Sequence, residues 1–417
     1  SAGRAVRNAQ LRMDQPRETV NLVVQDNMEV AMRARTQSLT TPAKHGSPKK
    51  RQPGVDSCWH VAVLSGLAAF IVTTSHAASG FFYVGFMDEF GVERKGASWP
   101  SNAITALSHL SGILLAALQG RMTLFQIFFV GGVLVWFGIL ASVFVPNMAW
   151  MTVTFGVING LGLGLTIIAM SVLLTMYFDR YRGVASGIKF VGMSGSGLAF
   201  PKILSYLQDK YGFRGMLLVY GGIATHVTAF GLLLKEPPWI CLKARGKNEA
   251  KPATEPWRNL SSLLVLLRRP TFYVVVLCAA IADLTSPTFT STVVDYGVDK
   301  GLSLSDAESL IVYGSCTEIA GRLFLPLLAD AGWIRRSTLV MISFLLAGCS
   351  MILMPHAILR THVLLVCMCV YIFLGCLTTM KTVLMADYLG IEWISTCHGI
   401  SGLLLLPLTF ITPSIIG

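Results

Sequence analysis

Residues 321–336 read GRLFLPLLADAGWIRR. Arg322 stands inside an apolar run, Asp330 closes that run, Gly332 supplies a turn, and Arg335 and Arg336 open the next run. Apolar residues continue on both sides, over about 304–328 and 337–355, each close to the roughly 20 residues with which a helix crosses a bilayer. The stretch therefore predicts a tight turn between two membrane-crossing helices. Arginines beside such helices mark the cytoplasmic face. A carboxylate at that level can pair with cations across a seam between helices, fastening one conformation and releasing in another. Asp330, Arg335 and Arg336 are the expected conformational latch.

The same reading extends along the chain. Further apolar stretches fall near 61–86, 100–119, 123–145, 149–176, 184–206 and 215–234, and then near 271–294, 362–386 and 396–416. That makes eleven spans, six before a basic stretch and five after it. Of 417 residues, 53% are hydrophobic and only 13% charged, about half the charge of a soluble domain. No polar shell is available to cover a water-soluble globule, and single cores stop growing at roughly 250–300 residues. The fold class is an all-α polytopic membrane protein. Residues 1–60 and 235–270 hold 18 of the 33 Lys and Arg. The formal charge of +11 therefore flanks apolar segments and does not form a soluble basic face, so no nucleic acid partner is expected.

Four segments follow. Residues 1–56 read as a disordered cytoplasmic tail without a signal peptide, and 57–235 as a six-helix bundle. Residues 236–270 read as a cytoplasmic loop, where the Asn259 sequon should stay unused, and 271–417 as a five-helix bundle. One more helix would restore a six-plus-six pattern, so a twelfth helix is expected to be missing from this piece. The tail, Arg121, Arg180 and Arg182, the central loop, Arg335, Arg336 and Lys381 share the basic, cytoplasmic side. The acidic 295–308 loop lies on the other side. The nine cysteines lie mostly within apolar runs and read as small packing side chains; neither a metal nor another cofactor is expected.

Two bundles joined by a long loop are the layout in which carriers of the major facilitator type hold substrate between halves. The 321–336 stretch matches that fold's G-R-x6-A-D-x-G-x-x-R-R signature. Three more motifs resemble the monocarboxylate transporter family (solute carrier family 16): the glycine-rich run at 159–164, Tyr177-Phe178 through Arg180, Arg182, Ala185 and Gly187, and Tyr211-Gly212-Phe213-Arg214-Gly215 followed by Gly221-Gly222. The resemblance runs from about Asp56 to the end. Gly160, Gly162, Gly164, Gly187 and Gly192 read as helix-packing positions, since close approach in lipid needs small residues. One departure matters: lactate-type members carry a Lys in span one, where this chain has about Phe81.

Ionisable groups inside a membrane are functional candidates by default, because each costs roughly 2.5–3.5 kcal/mol on insertion scales. Glu318 and Arg322, four apart on one helix face, fall where the family has an acid and an Arg that the resemblance implies are proton and substrate-carboxylate groups. The other reading is a structural ion pair. Lys189 in span five either snorkels to the interface or faces the cavity and supplies the cation that span one lacks. Asp283 reads as a counter-charge for Arg322 or a proton site, with a broken helix expected near Pro287. Arg180 and Arg182 are either interface anchors or cations that admit an anion at the cytoplasmic mouth; His76 and His226 read as packing groups. Expected substrate-binding residues are thus Arg322, Glu318, Lys189, Asp283, Arg180 and Arg182.

No catalytic triad, metal spacing or phosphate loop appears, so no enzyme is expected. The expectation is a plasma-membrane transporter of small organic anions, monocarboxylates above all, working by alternating access, with or without proton symport and a single-span glycoprotein chaperone. Two rivals stand beside it: a proton-independent carrier of aromatic amino acids or related amphiphiles, and a non-transporting sensor or scaffold.

Overall fold

Helix-length apolar runs separated by short polar turns fold as antiparallel neighbours. The computed structural model describes residues 55–237 and 266–416, the last eight without side chains. The expected tail and central loop, with Asn259, lie almost wholly outside the described residues. In chain order the helices are α1 Trp59–Val72, α2 Thr74–Ala77, α3 Ser79–Phe90, α4 Arg94–Leu118, α5 Leu124–Ala141, α6 Met148–Tyr177, α7 Arg182–Ala224, α8 His226–Leu233, α9 Pro270–Asp299, α10 Leu304–Asp330, α11 Arg336–Leu353, α12 Arg360–Leu389 and α13 Ile394–Ile416. No strand occurs among the described residues.

Among the described residues, nine helical stretches are long and apolar enough to cross a membrane. One of them, Arg182–Leu233, has 52 residues. As one helix it would measure about 78 Å, more than twice the roughly 30 Å apolar core of a bilayer. Gly212 breaks it at φ 70 and ψ 174, a left-handed conformation that glycine adopts at little cost. The stretch is therefore two crossings joined at the Y-G-F-R-G motif.

Three local features depart from expectation. Span one is not continuous: α1, α2 and α3 are separated by joints at Thr73 and Ala78. Hydroxyl side chains compete here for backbone groups, Thr73 Oγ1 donating to the Ala69 carbonyl at 2.7 Å while Thr74 and Ser196 hydroxyls bond at 3.0 Å. Span seven is not broken at Pro287; α9 runs through it, with Thr285, Thr288, Thr290 and Thr292 bonding carbonyls of the same helix. Span four contains a widened π turn over Thr152–Ile158, just before the glycine run.

The glycines sit where helices touch. A Cβ on Gly160 or Gly164 would collide with α4 at Ile104 or Ser108 and Ser111, and one on Gly162 with α5 at Gly131 and Val135. Gly192 faces the Gly66 carbonyl of α1, and Gly187 faces the Arg322 carbonyl of α10. An aromatic block of Phe82, Phe86, Phe155, Phe213 and Tyr220 fixes α3 against α6 and α7, with centroids 4.7 Å apart for Phe82–Phe155 and 5.7 Å for Phe86–Phe213. Its members are buried, and such rings bring large apolar area with specific geometry.

Candidate functional site

Because successive spans alternate in direction, residue 55 and the turns near 120, 180, 333 and 391 share one side, the basic side. Contacts between the chain before 237 and the chain after 266 gather there and at mid-membrane, in two layers.

The outer layer is a seam of ion pairs. Asp330, whose side chain is 0% exposed, pairs with Arg336 at 2.9 Å and accepts the Val184 N–H at 2.9 Å. Arg336 also pairs with Asp387 at 2.8 Å and donates to the carbonyls of Asp179 and Arg180 at 3.0 and 2.7 Å. Asp387 in turn holds Arg182 at 2.7 Å, and Arg182 reaches Asp179 at 3.3 Å. The Asp56 carboxylate accepts backbone N–H groups of Asp179, Arg180 and Tyr181 at 2.9, 3.0 and 3.2 Å. Two close approaches at glycines complete the layer, Gly183 against the Asp330 carboxylate and Gly112 against the Gly399 backbone.

These positions correct several expectations. Asp330 and Arg336 pair with each other and bond backbone groups of Asp179, Arg180 and Val184. Arg335 does not join them: the side chain is exposed and has no ion pair among the described residues, because it precedes α11 and points away from the seam. Arg182 is committed to the seam, with Nε also donating to the Phe178 carbonyl at 2.7 Å. The Arg180 guanidinium lies 5.3 Å from the Tyr181 ring. Both lie on the basic side, the level at which the sequence reading places them. Asp387, the second acid of the seam, was missed; it closes α12 only because that helix outruns the apolar stretch by several residues.

The inner layer lies six to eight residues deeper along α7, α10 and α12, about 9–12 Å. Arg322 donates from Nη2 to Glu318 Oε1 at 2.7 Å and from Nη1 to the Phe190 carbonyl across the seam at 2.6 Å. Glu318 also accepts from Ser194 Oγ at 3.1 Å. The expected i, i+4 pair thus exists, and α7 supplies partners to both members. Arg322 Nε is buried with no hydrogen-bond partner. Lys189 is 1% exposed and donates to Ser171 Oγ of α6 at 2.6 Å. It does not snorkel, because its head group turns inward over the Phe190 ring at 4.1 Å. No carboxylate pairs with it among the described residues.

Asp283 is not the counter-charge of Arg322. It pairs with Lys381 of α12, which donates to Asp283 Oδ1. Lys381, expected on the basic side, instead lies within the membrane, since α12 continues to Leu389 and leaves it two turns from the end. Three cations from three helices therefore surround one ring: Lys189, Arg322 and Lys381 lie 4.1, 5.3 and 5.9 Å from the Phe190 centroid. His109 of α4 and His398 of α13 fall within electrostatic reach of Asp283 and Lys381, and His76 of α2 within reach of His109. His398 bonds Thr382 at 3.2 Å. The histidines left no pattern in the sequence, since each stands alone in its apolar run. His226 is exposed, beside the Ile223 carbonyl.

Comparison with known proteins places the chain's family and fold. Residues 65–409 match the Major Facilitator Superfamily model. The chain is 29% identical over 300 residues to monocarboxylate transporter 4 of Gallus gallus, covering 69% of this chain and 61% of that protein. It is 29% identical over 274 residues to the Mus musculus protein of the same name, covering 64% and 57%. The chain thus spans about six-tenths of the length of these relatives. It is also 24% identical over 361 residues to monocarboxylate transporter 13 of Rattus norvegicus, covering 84% and 81%. Among solved structures it is similar to the proton:xylose symporter XylE, with a TM-score of 0.64 and 13% identity over 84% of this chain and 87% of that one. It is likewise similar to the transporter FucP in its outward conformation, with a TM-score of 0.58 and 14% identity over 86% and 98%. The chain is an integral membrane protein that belongs to the Major Facilitator Superfamily and is similar in sequence to its monocarboxylate transporters.

Proposed function

We propose that this protein carries small organic anions, monocarboxylates in the first place, across the plasma membrane by alternating access. The observation that carries the reading is the charge count around Phe190. Among the described residues, Lys189, Arg322 and Lys381 face only two carboxylates, Glu318 and Asp283. A buried ammonium without a carboxylate is costly, and an anion entering the centre lowers that cost. Arg322 keeps one N–H unpaired, and its planar guanidinium suits a carboxylate. A scaffold has no use for such a centre.

In this reading the basic side is cytoplasmic, by the positive-inside bias, and the latched seam closes the protein toward the cytoplasm. A proton is the co-substrate, and a single-span glycoprotein chaperone accompanies the chain, as the likeness to monocarboxylate transporters suggests. Uptake of labelled lactate, pyruvate and tryptophan into cells or proteoliposomes at two pH values tests the reading. Saturable uptake of a carboxylate anion, inhibited by other monocarboxylates, is expected. Uptake of tryptophan alone, without competition by lactate or pyruvate, would favour a carrier of aromatic amino acids. No uptake of any of the three would overturn the reading.

A further inference from the structure

Of the two charge pairs in the centre, one is bound into the seam and the other is not. Glu318 and Arg322 are tied to α7 through Ser194 and the Phe190 carbonyl, with side chains 12% and 9% exposed. The Lys381 and Asp283 side chains are more exposed, at 13% and 19%, and bond each other. Both belong to the C-terminal half, on α12 and α9, and among the described residues no hydrogen bond or ion pair ties either of them to the other half. Lys381 has a second attraction, the Phe190 ring.

We propose that Lys381 is a substrate-binding cation held in reserve by Asp283, and that a proton arriving at Asp283 releases it to the carboxylate of the transported anion. The inference rests on the reading of the protein as an anion carrier and adds where proton and anion meet. In the empty centre the ammonium donates to Asp283. One proton from the outer solution adds to an Asp283 carboxylate oxygen, and the ammonium, keeping its own three protons, passes its hydrogen bond to the incoming carboxylate. Charge balances: one negative oxygen is neutralised and another takes its place, so one proton enters with each anion. Lys381 would then supply the cation that span one lacks.

The groups facing this pair are His109 on α4, Lys189 on α7 and His398 on α13, with Arg322 on α10 across the Phe190 ring; His76 on α2 stands behind His109, and Glu318 on α10 behind Arg322. The proton removes the negative charge that Lys381 faces and the incoming anion replaces it, so proton and anion bind together more readily than either alone. That is a coupling free energy between two ligands, and it is reciprocal.

A merely structural pair makes a different demand, since the neutral double variant of such a pair is often tolerated. The test compares Asp283→Asn, Lys381→Gln and the double variant Asp283→Asn/Lys381→Gln, which leaves no unpaired charge and so keeps the fold. Binding of pyruvate is read by heat or thermal shift on purified protein, with uptake read in proteoliposomes. The double variant is expected to bind pyruvate about tenfold or more weakly, the worth of one charged hydrogen bond. Asp283→Asn is expected to lose the acid stimulation of uptake while keeping exchange. As a check that needs no variant, binding to the unmodified protein in weak buffer should take up close to one proton per anion. A double variant with normal affinity and an unchanged pH profile would overturn the inference, and so would binding without proton uptake. Absence of pyruvate binding and uptake in the unmodified protein would instead remove the underlying reading of an anion carrier.

Discussion

The seam and the centre are built from the same residue types about two helical turns apart, and they are balanced differently. In the seam two arginines, Arg182 and Arg336, meet three carboxylates, Asp179, Asp330 and Asp387, and backbone groups take up the remaining donors and acceptors. In the centre cations outnumber carboxylates, one guanidinium N–H has no partner, and Lys189 bonds only a hydroxyl. A saturated network rigidifies and specifies one arrangement, whereas a partly satisfied one calls for another ligand. Saturation marks the part that holds; shortage marks the part that binds.

Removing a central cation should break this contrast most visibly. Arg322→Leu is expected to abolish uptake while surface expression persists, measured by uptake normalised to surface biotinylation. Arg322→Lys should recover little, since a point charge loses the planar fork. Full activity in Arg322→Leu would erase the distinction between the layers. Next in size is Lys189→Met. It removes a buried charge that has no carboxylate, so the purified protein should gain stability, by up to about 1–4 kcal/mol if the site behaves like other buried ions, while anion affinity falls. Loss of both stability and affinity would show instead that Lys189 is a structural member like those of the seam. Asp387→Asn leaves Arg182 and Arg336 short of a carboxylate and should move the population toward opening on the basic side. Faster alkylation of a cysteine placed at Val184 would report it, with a change of about severalfold, as befits a coupling of 1–2 kcal/mol. The smallest effect belongs to Arg335→Ala. As an exposed residue outside the network it should change stability and uptake by no more than surface substitutions do, within about 0.5 kcal/mol.

The helices were legible because apolar length is a one-dimensional property: each run near 20 residues announces a crossing. The Glu318–Arg322 pair was legible for the same reason, since an i, i+4 spacing needs only one helix. Lys381 and Asp387 were not. Whether a charge lies at a helix end or two turns inside depends on how far α12 continues past its most apolar stretch, and a few residues of error move it from interface to centre. Asp283 was visible as a buried charge, but its partner lies 98 positions away, and nothing local selects among the cations. The Thr73–Ser75 hydroxyls could have signalled the joint in span one, as a cluster of side chains able to bond their own backbone. Pro287 was the more conspicuous breaker, and α9 nonetheless continues through it.

That joint has a mechanical meaning. The α1 arm is seated on α7 where Gly66 meets Gly192, between Phe190 and Ser194 along that helix. The α3 arm is clamped to α6 and α7 by the aromatic block. Between them lie four residues of α2 bearing His76, held by one pair of hydroxyls to Ser196. Span one is thus a lever with two stiff arms and a soft elbow at the depth of the charges. Bending absorbed by a few backbone torsions at such an elbow is the ordinary form of a hinge. A stroke of the α3 arm needs no ion pair of the seam to part, so the two ends of the same span can keep different schedules.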